Sequence, residues 1–473
     1  MLAKGHRNAT TIDNLSDNVL IEIFDRFRER DDQYNQAPFS VWKWHLLVRV
    51  SRRWRQIIFA SPRRLDLQLL CTYGTPVGKI MGIWPTIPII ILFPSVIEPS
   101  DEEHVITALE HNDRVSRINL YVSEAQLGKI ARLMLEPFPV LTHLSITSGN
   151  LSALPDGFLG GSAPSLQKLD LPGAQYQASP KLLLSASNLV NLRLYKITVP
   201  TGYVSPEALV AHLAALLRLE IIDIGFTSFL DPISSPLKTR TVLPTLRNFS
   251  YSGRCKYLED FISRIDTPQI NSIVIYYESG DNFDIPQLSG FINRSESLKR
   301  SLSRQCKISL SDCDEDFVTF CISRTTSERW DPKPGILVGL SDYIEEQISH
   351  LTNILGFMSP MLSHVVHCTI DSALAILCPV HQSEPTWIQV LRQISSVQTL
   401  FVFETSTSII YDSLIYLNGE MITQVLPALK LLYLGGRPTP SLRGFLAARR
   451  ESSHPVTIVQ TKEEFEEKLK YYL

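Results

Sequence analysis

One spacing rule dominates this chain: an apolar residue, two variable positions, a second apolar residue, one variable position and a third apolar residue. It occurs at Leu141-Leu144-Ile146, Leu166-Leu169-Leu171, Leu189-Leu192-Leu194, Leu219-Ile222-Ile224, Leu246-Phe249-Tyr251 and Ile270-Ile273-Ile275. The middle positions are separated by 25, 23, 30, 27 and 24 residues. Alternation within each unit is the period of a short strand, whose successive side chains point to opposite faces. The stretch between units is long enough to return the chain, so that the strands can stack in parallel. A single unit cannot cover its own apolar side, and neighbouring units must do so. At 473 residues the chain exceeds one ordinary core, and its 44% apolar and 20% charged content permits extensive burial.

Template and spacing resemble leucine-rich repeats, which recur every roughly 20 to 29 residues. The resemblance implies an α/β solenoid over 69–473, a horseshoe with a parallel sheet on its concave face. Val365-Cys368-Ile370, Val397-Leu400-Val402 and Leu429-Leu432-Leu434 fit the template again. Irregular, lengthened repeats are expected at 294–360, and periodicity is also poor at 70–112, although Leu65-Asp66-Leu67-Gln68-Leu69 looks like a first strand and Ile118-Leu120 like another. The apolar stretch Ile83 to Ile97 is interrupted by Pro85, Pro88 and Pro94 and is too short for a bilayer that needs roughly 20 apolar residues, so a buried extended segment is expected. Thr461 with Glu464 forms a capping box, which predicts a closing helix over 461–472 that contains Phe465 and Leu469.

Before the array, Leu20, Ile23, Phe24 and Phe27 fall at i, i+3, i+4 and i+7 behind Ser16 and Asp17, which predicts an amphipathic helix. Arg28 to Pro38 has no apolar period and reads as a loop. Leu46, Val50, Trp54 and Ile57 then share a second helical stripe that ends at Pro62. So few apolar positions leave a face that must meet a partner or the next domain. Residues 12–68 resemble the F-box family through Leu15, Leu20, Ile23 and Phe24, then Leu46, Val50-Ser51-Arg52-Arg53-Trp54-Arg55 and Ile57-Ile58. Ser16 stands where that family usually has proline, and the loop between the helices carries an insertion. Ser61-Pro62-Arg63-Arg64-Leu65-Asp66-Leu67 is similar to the segment after the last helix in a fungal F-box group. Residues 1–11 are expected to be disordered.

The F-box resemblance implies that Leu15, Ser16, Leu20, Ile23, Phe24, Leu46, Val50 and Trp54 form the surface for a Skp-type adaptor, with Trp54 chiefly knitting the helices together. Through that adaptor the chain would join a cullin-RING ubiquitin ligase and present a protein substrate held by the repeats. The alternative is an F-box scaffold or regulatory protein that never enters an active ligase. Outward positions on the expected strands are His143, Ser145, Thr147, Lys168, Asp170, Asn191, Arg193, Tyr195, Asp223, Asn248, Ser250, Ser252 and Tyr276, a polar and aromatic surface of the kind repeat arrays use for partners.

Other classes find little support in the sequence. His364, His367, Cys368, Cys378 and His381 have zinc-like spacings, yet Cys368 falls on an inward template position and His367 on the opposite face. The arginines from Arg49 to Arg64 lack interleaved aromatics, and the net charge of −3 gives no pull toward nucleic acid or membrane. No nucleophile elbow, phosphate-binding glycine loop or HExxH motif is present, so neither an enzyme nor a cofactor is expected. The seven cysteines, odd in number and without a CxxC pair, together with an N-terminus lacking a signal-like apolar run, suggest an intracellular protein of the cytoplasm or nucleus.

Overall fold

The computed structural model describes residues 12–29, 43–62, 65, 67–74, 77–83, 87–148, 154–155, 157–172, 180–197, 205–226, 240–277, 284–302, 306–314, 317–324, 335–340, 344–371, 387–403, 407–435 and 440–459. The stretch 1–11 and the expected helix at 461–472 lie outside them. The chain is α/β, built on a large, mostly parallel sheet, and it divides into two compact units, Met1–Leu171 and Pro172–Leu473.

The first unit opens with helices α1 (Asp17–Glu29), α2 (Lys43–Val50) and α3 (Arg52–Ala60). Strands β1 (Leu69–Cys71), β2 (Ile89–Val96), β3 (Val115–Val122), β4 (His143–Ser148) and β5 (Lys168–Asp170) come next, parallel and in strict chain order. Helices α4 (Val77–Ile83), α5 (Pro99–Leu109) and α6 (Glu124–Leu133) connect β1 to β2, β2 to β3 and β3 to β4. Crossovers between parallel neighbours are overwhelmingly right-handed, so a sheet built in chain order gathers its connections on one face and leaves the other open. Helix α6 starts in a capping box between Ser123 and Gln126, and the Gln126 amide also donates to the Ile97 carbonyl at 2.9 Å, tying the helix to the end of β2.

The first strand begins later than the alternation at Leu65–Leu69 suggests. The amides of Leu65 and Leu67 donate to the carbonyls of Ser61 and Pro62, at 3.1 and 3.0 Å, so these residues form a turn off the end of α3 and pairing starts only at Leu69. The segment expected to be extended from Ile83 is a strand from Ile89, and Ile83 itself ends α4.

The second unit contains β6 (Asn191–Ile197), β7 (Ile221–Phe226), β8 (Thr241–Val242), β9 (Asn248–Gly253), β10 (Ile265–Asp266), β11 (Ser272–Tyr277), β12 (Cys306–Asp314), β13 (Phe317–Arg324), β14 (Gly335–Leu340), β15 (Val365–Asp371), β16 (Thr399–Val402), β17 (Leu431–Leu434) and β18 (Thr457–Val459). Strands β8 and β10 form a small parallel pair of their own. The others run in the order β6-β7-β9-β11-β14-β13-β12-β15-β16-β17-β18.

The template positions are in register. Ile118, Leu144 and Leu169 are partners across β3, β4 and β5, as are Leu192, Ile222, Phe249 and Ile273 across β6, β7, β9 and β11, and Cys368, Leu400 and Leu432 across β15, β16 and β17. All ten are buried. Hydroxyls at the strand entrances add bonds to the entrance of the neighbouring earlier strand. Ser116 donates to the Ile89 carbonyl at 3.1 Å, Thr142 to Ser116 at 2.9 Å, and Thr245 to Leu219 at 2.9 Å.

The expected irregular stretch contains an inverted meander. Strand β13 is antiparallel to both β12 and β14; β14 pairs in parallel with β11, and β12 with β15. The first strand of the meander therefore lies beside β15, which is later in the chain than all three, and the last lies beside β11, which is earlier. Period-two alternation at Ile308-Leu310 and Phe320-Ile322, all buried, supplies the core side of the hairpin. Just before it, the helix Pro286–Arg294 begins at Ile285, which has no capping side chain. Glu259 of the preceding helix (Cys255–Ser263) supplies the cap, accepting from the amides of Gln287 and Leu288 at 2.6 and 2.8 Å.

Candidate functional site

Two surfaces collect the residues singled out from sequence. The first is the α1–α3 trio. Ser51 caps α3 by accepting from the Trp54 amide at 3.1 Å. The Trp54 ring packs on Phe24 with centroids 4.8 Å apart, and both are buried together with Leu20, Val48, Ile57 and Ile58. Arg53 reaches back to the start of α1, donating to Asp17 Oδ1 and to the Leu15 carbonyl, each at 2.6 Å. Arg55 donates to the Val48 carbonyl at 3.1 Å, satisfying an acceptor in the last turn of α2. Ser16 is exposed, and its carbonyl takes the first helical bond from Leu20.

Of the eight residues expected to contact an adaptor, Leu20, Phe24 and Trp54 lie in the interior of the trio, and Leu15 is half-buried. Ile23, Leu46 and Val50 are 40, 58 and 60% exposed. Val19, absent from the sequence expectation, is also exposed and pairs with Ile23 at i,i+4, just as Leu46 pairs with Val50. The side chain of Phe27 lies outside the described residues.

The second surface is the half-exposed face of the strands. In the first unit Arg117, His143 and Lys168 form one register row, Asn119, Ser145 and Asp170 the next, and Tyr121 and Thr147 a third. Burial, reinforced by the charges of Arg117 and Lys168, pushes the His143 imidazole down to about 4. Arg117, Asn119 and Tyr121 were legible only indirectly, as the positions flanking Ile118 and Leu120. In the second unit Arg193, Asp223 and Ser250 share a row, and Tyr276 is registered with Ser252 and Gly339. Tyr195 crosses the neighbouring strand at Gly225, where a Cβ would lie 3.2 Å from the tyrosine Cβ. Toward β18 the same face turns apolar and buried: Phe401 and Tyr433 stack at 4.5 Å between ring centroids, with Phe403, Leu431 and Val459 packed around them. The template did not flag this cluster, because it defines only the opposite side of each strand.

Cys368 is buried on the core side of β15 and its thiol is pushed up to about 12 by that burial, whereas His367 occupies the opposite face and His364 is exposed in the preceding turn. Cys378 and His381 lie outside the described residues. Among the described residues no group of three or more His, Cys, Asp or Glu is placed to hold a metal ion, and no helix is long and apolar enough to cross a membrane. No family model and no curated protein matches the chain.

Proposed function

We propose that this chain is an F-box protein with a leucine-rich-repeat array, acting as the substrate-recognition subunit of a Skp-cullin-F-box ubiquitin ligase. The observation that carries the reading is how the trio spends its signature residues. Ser51, Arg53, Trp54 and Arg55 are committed to capping, clamping and packing α1, α2 and α3, while Val19, Ile23, Leu46 and Val50 are left in water. Aliphatic pairs left exposed on a small helical unit whose polar signature is tied up in bonds within the unit favour a protein partner. The in-register strands support a repeat array, and its half-exposed face would hold the protein to be modified.

On this reading the chain supplies proximity and no bond-making group. It fixes a substrate lysine near the charged conjugating enzyme and raises its effective concentration there. The test is calorimetry of the full chain with a Skp-type adaptor, comparing wild type with Ile23→Asp/Val50→Asp. Both positions are exposed, so the variant should keep the wild-type melting temperature and lose binding, because carboxylates would be buried unpaired at the contact. Trp54→Ala provides the contrast. It removes the ring that packs on Phe24, and should cost about 3–5 kcal/mol of stability. Failure of the wild-type chain to bind any adaptor would reject the proposal.

A further inference from the structure

We propose that the half-exposed face of the first unit is a proton-coupled oxyanion site for an extended acidic protein segment, with Arg117, His143 and Lys168 as its recognition row. These three are direct partners across β3, β4 and β5. Neighbouring strands lie about 4.8 Å apart, so the two cations bracket the imidazole at backbone separations of roughly 10 Å and their long side chains can converge on one anion above it.

The tautomer of His143 follows from proton counting. The Thr142 hydroxyl has a single proton and donates it to the Ser116 carbonyl at 2.9 Å. Its 2.9 Å contact with His143 Nδ1 therefore requires the ring to be the donor. Nδ1 carries the hydrogen and Nε2 keeps the lone pair. Burial and two flanking cations hold the ring neutral. An oxyanion bound between Arg117 and Lys168 would cancel that repulsion and offer an acceptor to a proton on Nε2. Anion binding and protonation of His143 then favour each other.

The groups on the neighbouring strands define the ligand further. Strand β3 contributes Arg117 and Tyr121, and β5 contributes Lys168 and Asp170. Asp170 is buried one row on, in register with Ser145, and its carboxylate disfavours a second anion beside the first. The site thus takes one oxyanion at a time, and beyond it lie the amide, hydroxyl and phenol groups of Asn119, Ser145, Thr147 and Tyr121, which suit peptide backbone. Two cations on a chain of net charge −3 are too few for the phosphate array of a nucleic acid.

This inference rests on reading the strand face as the protein-holding surface, and is independent of the α1–α3 trio. The experiment titrates the full chain with a capped hexapeptide that carries one glutamate among serines and glycines, and with inorganic sulfate, which stays ionised throughout, at about pH 5.5 and about pH 7.5. If the bound imidazole regains its ordinary value, peptide affinity should be about ten-fold higher at the lower pH, with uptake close to one proton per site. Calorimetry in buffers of different ionisation enthalpy reads that uptake. His143→Gln should bind without the pH dependence, Arg117→Glu/Lys168→Glu should not bind, and sulfate should displace the peptide. Melting curves confirm that each variant folds. Peptide binding that is independent of pH in wild type, survives charge reversal or ignores sulfate overturns the assignment. Adaptor capture on the same preparations reports separately on the helical trio.

Discussion

Tyr276 and Gly339 face each other across the β11–β14 pairing, and a Cβ on Gly339 would lie 2.5 Å from Tyr276 Cδ1. The aromatic ring occupies the room that a side chain would need. Gly339→Ala should therefore force the ring or the strand aside and lower stability by about 1–3 kcal/mol. Tyr276→Ala in the same chain should return most of that loss, and urea titration of the two single variants and the double variant gives the coupling directly. Additive single and double effects would mean that the ring and the glycine do not sense each other.

Arg449, in the helix Pro440–Glu451, is fully buried and donates to the carbonyls of Ile422, Leu426 and Leu429 at 2.7, 3.0 and 3.4 Å. One of those acceptors belongs to Leu426, a non-glycine residue held at a φ of 50°. Arg449→Met would remove the guanidinium from all three carbonyls, leaving Leu426 only its bond from the Leu429 amide, and should cost at least about 2 kcal/mol, measured by chemical denaturation. Arg449→Lys should recover only part, because a compact ammonium cannot span acceptors that a planar fork reaches. A lysine variant as stable as wild type would show that charge alone suffices.

Two groups give opposite pH dependences. Burial raises Glu259 from 4.5 to about 7 against the pull of its two amide donors, so its folded form holds a proton that the unfolded chain releases. Its contribution is full below pH 4.5 and is lost as pH rises through about 7. His143 is lowered from 6.5 to about 4, so its contribution is full above pH 6.5 and is lost as pH falls through about 4. Stability of Glu259→Gln should thus fall less than wild type on going from acid to neutral pH, and that of His143→Gln should fall less on going from neutral to acid. Denaturant midpoints recorded across this range check both slopes, and unchanged slopes would contradict the assigned groups.

Much of the sheet was legible because one chemical rule repeats. Each strand must bury alternate side chains against its neighbours, so Leu144, Leu192, Ile222 and Ile273 announce themselves as apolar residues at fixed offsets. The meander escaped the rule. Its strands alternate just as well, but antiparallel pairing needs no long return, so the spacing that identified the others is missing. The start of β1 was misplaced for a local reason, the capture of the Leu65 and Leu67 amides at the end of α3.

At the helical trio, sequence identified the participating residues but could not sort them. Leu20 and Ile23 are both aliphatic and lie one turn apart in the same helix, yet one is interior and the other exposed, a distinction set by how α2 and α3 lie against α1. The Arg117 row was hidden differently. Its members sit on strands separated in sequence by the whole of α6 and by the connection from β4 to β5, and only the register makes them neighbours.

The inverted meander bears on the order in which the second unit can assemble as it leaves the ribosome. Strands β7, β9 and β11 can each add to an edge already present. The edge of β11 then waits for Gly335–Leu340, while Cys306–Asp314, made earlier, finds its parallel neighbour only when Val365–Asp371 emerges. Propagation by nearest neighbours stops at β11 and resumes at β15, and the join between them closes through the strand pairings most distant in sequence among the described residues. Loop-closure entropy therefore places the slow step of its folding there.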